Sequence, residues 1–273
     1  MTLVELPPIK VDIERARAFV LAHGNARERA RLDGLFGVVG PARDVVKELE
    51  GLQNTDGGFP ARGQAGAPSS IDATCYVLHQ LKEMPPLAGA PMASRALAYL
   101  RRTQRPDGFW QESAEAAPLV GPWARPDNPG AALYLTAVAA FSVLTLEPEH
   151  MDPLRRAASW SRQELARDGV EISTQTLGLA WGALCRLMGP ESQEARWCFQ
   201  QAAQRSMAAY EAAWFLLCGL EVGAGGSYVL PIAQRLAQLA GMQQEDGSWP
   251  AEPGFALEST LTALRVFRGY GVL

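Results

Sequence analysis

The amino-acid sequence predicts an all-α protein, an (α/α)6 toroid in which about twelve helices form two concentric layers. Three observations predict it. One turn phrase recurs along the chain, several helices are apolar on nearly every face, and these alternate with amphipathic, charged helices. The whole chain, 1–273, reads as a single domain of six helical hairpins.

The phrase comes first, because internal repeats decide a fold before any single element does. It appears as Gln53-Asn-Thr-Asp56-Gly57-Gly58-Phe59, as Gln104-Arg-Pro-Asp107-Gly108-Phe109-Trp110 and as Gln243-Gln-Glu-Asp246-Gly247-Ser248-Trp249. Each copy reads Q-x-x-D-G-x-aromatic or a close variant, and Asp168-Gly169 is a weaker copy without the aromatic. Asp-Gly is a turn pair whose glycine is free to take positive φ. The aromatic supplies an anchor between neighbouring hairpins. The glutamine, at a helix end, is placed to satisfy exposed backbone groups or to reach the start of the next repeat.

Inner helices are expected near 25–37, 70–82, 130–145, 174–188, 206–221 and 255–269. Five of these segments begin small or polar and then turn apolar all round, as in SSIDATCYVLHQL and SMAAYEAAWFLLCGL. A helix with no polar face is buried on every side. Outer helices are expected near 10–23, 41–52, 92–103, 152–167, 191–204 and 230–243, where charge and apolar residues segregate to opposite faces. An open array of such hairpins needs polar capping repeats, and the last inner helix stays apolar almost to Leu273. Closure into a ring removes the exposed ends.

Composition narrows the function. Apolar residues make up 48 % of the chain, enough for a large core, and the net charge of −4 comes from mixed signs with no basic stripe, which argues against nucleic acid as a partner. Cys75, Cys185, Cys198 and Cys218 sit in apolar helical stretches without a C-x-x-C pair. They read as core residues of a reduced, cytoplasmic protein. No signal peptide is read at the start of the chain, and no stretch approaches the ~20 apolar residues that span a bilayer. Peripheral membrane contact and a protein partner are left open.

The Q-x-x-D-G-x-W phrase and the S-x-x-D-A-T helix start resemble the repeats of squalene–hopene cyclases and of protein prenyltransferase β subunits. That resemblance implies a six-plus-six toroid with an apolar central cavity for an isoprenoid chain. It does not carry the catalytic groups across. Class II terpene cyclases protonate an alkene with the middle aspartate of D-x-D-D-T-A, and here Ser69-Ser70-Ile71-Asp72-Ala73-Thr74 puts Ile71 at that place. Only the last aspartate, Asp72, remains. The zinc ligands of prenyltransferases are missing as well, with Ala73 where their histidine would stand. No D-D-x-x-D run offers magnesium a site, so no metal and no cofactor is expected.

Three acids remain as candidate catalytic residues. Asp72 and Glu258 are each followed by a small residue and threonine, and Glu211 lies early in its own inner helix. Inner-helix starts converge on one mouth of a toroid, where carboxylates perturb one another. The plainer reading is helix capping, with Ser69 and Asp72 at capping-box spacing. Trp123 and Arg125 belong to a long loop before the third inner helix and read as lid or ligand contacts. Tyr76, Tyr134, Trp181, Tyr210 and Trp214, with Phe141 and Phe215, sit on inner helices as either cavity wall or plain core. Cys75 and His79 are four apart on one helix, while His23 and His150 stand alone.

The expected function is therefore that of a prenyltransferase- or terpene cyclase-like protein holding an isoprenoid or other apolar small molecule in a central cavity. The alternative is a non-catalytic scaffold that docks a partner, which predicts a packed axis. A third option, a glycoside-cleaving toroid, requires two acids flanking a groove, and Asp72 with Glu258 is the pair it would use.

Overall fold

In a computed structural model of the protein, residues 9–38, 40, 43–84, 87, 89–147, 149, 151–167 and 172–273 are described. His150 and the Asp168-Gly169 copy of the turn phrase lie outside the described residues. Outer helices are α1 (Ile13–His23), α3 (Arg43–Leu52), α5 (Pro91–Thr103), α7 (Met151–Leu165), α9 (Gln193–Ala203) and α11 (Val229–Ala240). Inner helices are α2 (Ala26–Leu35), α4 (Ile71–Glu83), α6 (Ala131–Leu146), α8 (Thr174–Met188), α10 (Ala209–Glu221) and α12 (Ala256–Gly269). Among the described residues the only sheet is a two-residue ladder, β1 (Phe59–Pro60) against β2 (Ser69–Ser70), which pairs Phe59 with Ser70.

The ring is closed. Each inner helix packs on the next, α2 on α4, α4 on α6, α6 on α8, α8 on α10 and α10 on α12, and α12 returns to pack on α2 and α1. Sequence dictates which helix goes where. Helix α6 (AALYLTAVAAFSVLTL) carries no charge and buries Leu133, Leu135, Val138, Phe141 and Val143 around its circumference. Each such aliphatic or aromatic burial stabilises by roughly 1.5–3 kcal/mol. Helix α5 instead buries one stripe, Met92, Ala96, Leu97 and Leu100, and keeps Arg102 exposed on its outer face.

The repeated phrase is the joint between hairpins, built the same way three times. In each copy the backbone closes with the same pair of hydrogen bonds, Asn54 N–H to Gly58 O and Gly57 N–H to Asn54 O in the first. The glutamine Nε2 then donates twice. Gln53 reaches Gly57 O and Met92 O at 2.8 Å each, and Gln104 reaches Gly108 O at 2.8 Å and Pro153 O at 2.7 Å. The second acceptor is always the start of the next outer helix. In the last copy Gln243 reaches Asp12 O at 2.9 Å, and Asp12 N–H donates back to its Oε1 at 2.8 Å. The same joint that links consecutive hairpins thus seals the end of the chain to its beginning.

Glycine is required at the centre of the joint for two reasons. Gly57, Gly108 and Gly247 have φ of +88°, +100° and +91°, a region that disfavours side chains. A Cβ on them would also lie 2.5–2.6 Å from the carbonyl oxygens of Arg95, Arg156 and Arg15, on the next outer helix in each case. The aromatic plugs the gap beneath. Trp110 and Trp249 are fully buried, and their indole N–H groups donate to Leu100 O and Leu239 O at 2.7 Å. Their backbone N–H groups, like that of Phe59, donate to a threonine of the following inner helix: Thr74, Thr136 or Thr260.

Helix α2 departs from expectation. It is the inner helix richest in charge (ARERARLDGL), yet Arg31 within it is fully buried. Its guanidinium donates from Nη1 and Nη2 to the two Glu258 oxygens of α12 at 2.6 and 3.0 Å, and from Nε to Glu83 of α4. A bidentate guanidinium between two carboxylates is a strong, directional contact. Here it ties α2 to both of its neighbours in the ring.

Candidate functional site

A cavity of about 1020 Å³ runs along the inside of the ring, walled mainly by one side of α4 and α6 with the first turns of α8 and α10. On α4 its lining extends from Asp72 through Tyr76 and His79 to Lys82. The ten helical steps from Asp72 to Lys82 make that wall about 15 Å long. On α6 it extends from Tyr134 past Val138, Phe141 and Ser142 to Thr145. The N-terminal ends of these helices form the mouth and their C-terminal ends the base.

The mouth follows from the repeat. Thr74, Thr136 and Thr260 each bond back one turn to a carbonyl, at Ser70, Ala132 and Ala256, and each caps the preceding aromatic joint. Counting back two residues from each threonine gives Asp72, Tyr134 and Glu258 as equivalent positions. Asp72 Oδ1 accepts from the Tyr134 hydroxyl at 2.8 Å and its Oδ2 from Trp123 Nε1 at 3.1 Å. Burial pushes the Asp72 carboxyl above its ordinary pKa, and the two donors pull it partly back by favouring the ionised form. Among the described residues no cation pairs with Asp72.

The other two candidate acids are otherwise employed. Glu258 is buried, bound by Arg31 and by the Tyr76 hydroxyl at 2.8 Å, and does not line the cavity. Burial alone would raise its pKa, but Arg31 outweighs that and lowers it. The expected convergence of Asp72 with Glu258 is thus not a pair of free carboxylates, since the second is the counter-ion of Arg31. Glu211 lines the rim, where its carboxylate accepts from the Ala208 N–H at 3.0 Å and closes the start of α10. That is the capping role.

Of the expected ligand contacts, Tyr76, Trp123, Tyr134, Tyr210 and Trp214 line the cavity. Trp181 and Arg125 do not. Trp181 is fully buried on the outward side of α8, stacked on Phe215 at 5.0 Å and edge-on to Tyr228. An indole needs a deep slot, and the interface of α8 with α9 and α10 supplies one. Arg125 turns away and donates to Val120 O at 3.3 Å. Phe141 lines the wall, and Phe215 packs against Trp181 and Phe199 away from it.

Sequence reasoning missed Glu112. It is buried, and its two oxygens accept from the Ser70 hydroxyl at 2.8 Å and from the backbone N–H groups of Ile71 and Asp72 at 3.0 Å each. It holds the first turn of α4 open-ended toward the helix dipole and so fixes where Asp72 points. Burial raises its pKa, with those donors opposing.

From Glu258 at a helix start down to the base, the charges balance. Arg31, Lys82 and Arg265 face Glu83, Glu221 and Glu258 in one linked network. Burial lowers the Lys82 ammonium to about 8, with Glu221 opposing. His79 lies tilted against Trp214 with ring centroids 4.4 Å apart, and burial together with Arg265, Arg31 and Lys82 drives its pKa well down, so it is neutral. Cys75 is no thiolate partner for it, because burial raises the thiol. Among the described residues, no three His, Cys, Asp or Glu side chains gather to hold a metal ion, and no helix is long and apolar enough to cross a membrane.

No family model and no curated protein matches this sequence. Solved structures do match in fold. One, a crystal structure of a protein from Actinoplanes, has a TM-score of 0.59 at 17 % identity, covering 94 % of this chain and 98 % of that one. At such identity the likeness speaks to the course of the backbone alone.

Proposed function

We propose that this protein binds an elongated, mainly apolar small molecule of the isoprenoid class in its axial cavity. The observation that carries this reading is the cavity itself. A ring whose inner helices are among its most apolar nonetheless leaves about 1020 Å³ unfilled, walled by aromatic and aliphatic side chains. Protein interiors normally pack to crystal density, and a large apolar cleft with a few placed polar groups is the usual form of a small-molecule site. The turn phrase and its resemblance to terpenoid-cyclase repeats supply the chemical class. A partner-docking scaffold would instead favour a packed axis.

Binding and chemistry are separate claims, and the residues favour binding. Alkene protonation needs an acid poised to give up its proton. Asp72 accepts from an indole N–H and a phenol, which stabilise its ionised form. Titrating the protein with farnesol and following tryptophan emission tests the proposal, because Trp123 and Trp214 line the cavity. A saturable change at one ligand per chain is expected, along with apolar adducts in native mass spectra of freshly purified protein. Absence of saturable binding by every farnesyl compound tried, whether its head group is neutral, anionic or cationic, would transfer the assignment to the scaffold reading.

A further inference from the structure

We infer that the mouth of the cavity recognises a cationic head group, so that the ligand is an apolar amine or ammonium compound and not an alcohol or a diphosphate. The inference rests on the axial-binding reading above and adds the charge of the ligand to it. It starts from the charge balance of the cavity. Deeper in the ring each cation has a carboxylate partner, Arg31 with Glu83 at the base and Glu258 at a helix start, and Lys82 and Arg265 with Glu221. At the rim Arg27 is paired with Glu48, Glu211 caps α10, and Arg62 and Glu252 are exposed to solvent.

Asp72 is different. It is half-buried on the cavity wall, its two oxygens are held by neutral donors, and among the described residues no cation accompanies it. A desolvated carboxylate without a counter-ion is costly to fold around. A ligand cation that pairs with it recovers that cost on binding, whereas an anionic head group adds to it.

The second observation is the group of aromatic side chains that line the same cavity as this carboxylate. Tyr134 and Trp123 touch Asp72 directly. Tyr76 lies one turn along the same helix, and Tyr210 lines the same cavity, its hydroxyl raised first by burial, then by Glu258, and least by Asp72. Phe255 stands 6.3 Å from Tyr210, centroid to centroid. A single exposed aromatic side chain needs no explanation. Yet Tyr76, Trp123 and Phe255 are 39 %, 47 % and 39 % exposed, and all three line this one cavity. Aromatic faces gathered about a carboxylate are the arrangement that binds alkylammonium groups, through ring quadrupoles and direct ion pairing.

The experiment compares three ligands that share one tail: farnesylamine, farnesol and farnesoic acid, titrated calorimetrically at one pH and low salt into the full chain. Farnesylamine is expected to bind at least about tenfold tighter than farnesol, and farnesoic acid more weakly than either. In Asp72→Asn the amine should lose its advantage and bind no tighter than farnesol does to the same variant. Should that variant fail to fold, Tyr134→Phe keeps the carboxylate and the ring while removing one donor, and the amine preference should persist in it. Equal affinity for amine and alcohol, preference for the acid, or a preference that survives Asp72→Asn would overturn the inference while leaving the apolar cavity standing. Failure of all three ligands to bind would remove the axial-binding reading along with it.

Discussion

Arg31 illustrates how one side chain can hold a fold together while opposing its own burial. Desolvation disfavours its charge, yet Glu258 and Glu83 together raise its pKa well above the usual value. Removing one member of such a buried group strands the others. Arg31→Met is therefore expected to cost about 3–5 kcal/mol in chemical denaturation, and the triple change Arg31→Met, Glu83→Leu, Glu258→Leu much less. The sign of the acid response follows from the same contacts. Glu221 and Glu258 have folded pKa values below the ordinary glutamate range, since Lys82, Arg265 and Arg31 outweigh burial. Their contribution is complete above the unfolded value of about 4.3 and is lost as pH falls through the folded values. Asp72 and Glu112, raised by burial, act in the opposite sense. Melting temperatures measured from neutral pH down to about pH 3 should fall less steeply in Arg31→Met, where Glu258 has lost its main depressor. None of this was legible beforehand, because Arg31 looks like a solvated charge in ARERARLDGL and its partners lie 52 and 227 residues away.

The joint between hairpins belongs to the scale of the element, and it was the most legible feature of the chain. Glutamine, glycine and aromatic were each assigned a physical task from the phrase alone, and each performs it. The glutamine meets the next outer helix, the glycine passes beneath that helix at positive φ, and the aromatic fills the joint. Gly108→Ala should destabilise by about 1–3 kcal/mol through backbone strain, before any clash with Arg156. Thermal unfolding of Gly108→Ala beside Gly189→Ala, which shares the positive φ but whose added Cβ meets nothing, separates strain from crowding. Helix α4 shows the limit of such reading. Its cap looked local, from Ser69 or Asp72, but the structure uses Ser70 together with Glu112 from the following loop. No periodicity links a helix start to a residue 41 positions on. Glu112→Ala should cost about 1–3 kcal/mol and, by loosening the first turn, should weaken ligand binding at Asp72 as well.

At the scale of the whole molecule, a closed ring of parallel inner helices brings their first turns to one mouth. The sequence placed Asp72, Tyr134 and Tyr210 on inner helices, and closure is what converts those places into a single site. Trp181 went astray for a related reason: a helix apolar on every face does not declare which face meets the axis and which meets the outer layer. The seam at Gln243 and Asp12 should matter more than an exposed hydrogen bond elsewhere, since it alone among the joints connects the chain's two ends. Gln243→Ala should speed hydrogen exchange in α1 and α12 together, leaving α6 and α8 protected.

The central claim is that the unfilled axis exists to be occupied. Ala73, half-buried on the first turn of α4 and lining the cavity, offers a way to fill it from within. Farnesol titration of Ala73→Trp, with its melting temperature measured in parallel, is the most direct test. The account predicts a folded protein that has lost saturable farnesol binding. A folded Ala73→Trp protein that binds farnesol as tightly as the unaltered chain would contradict it.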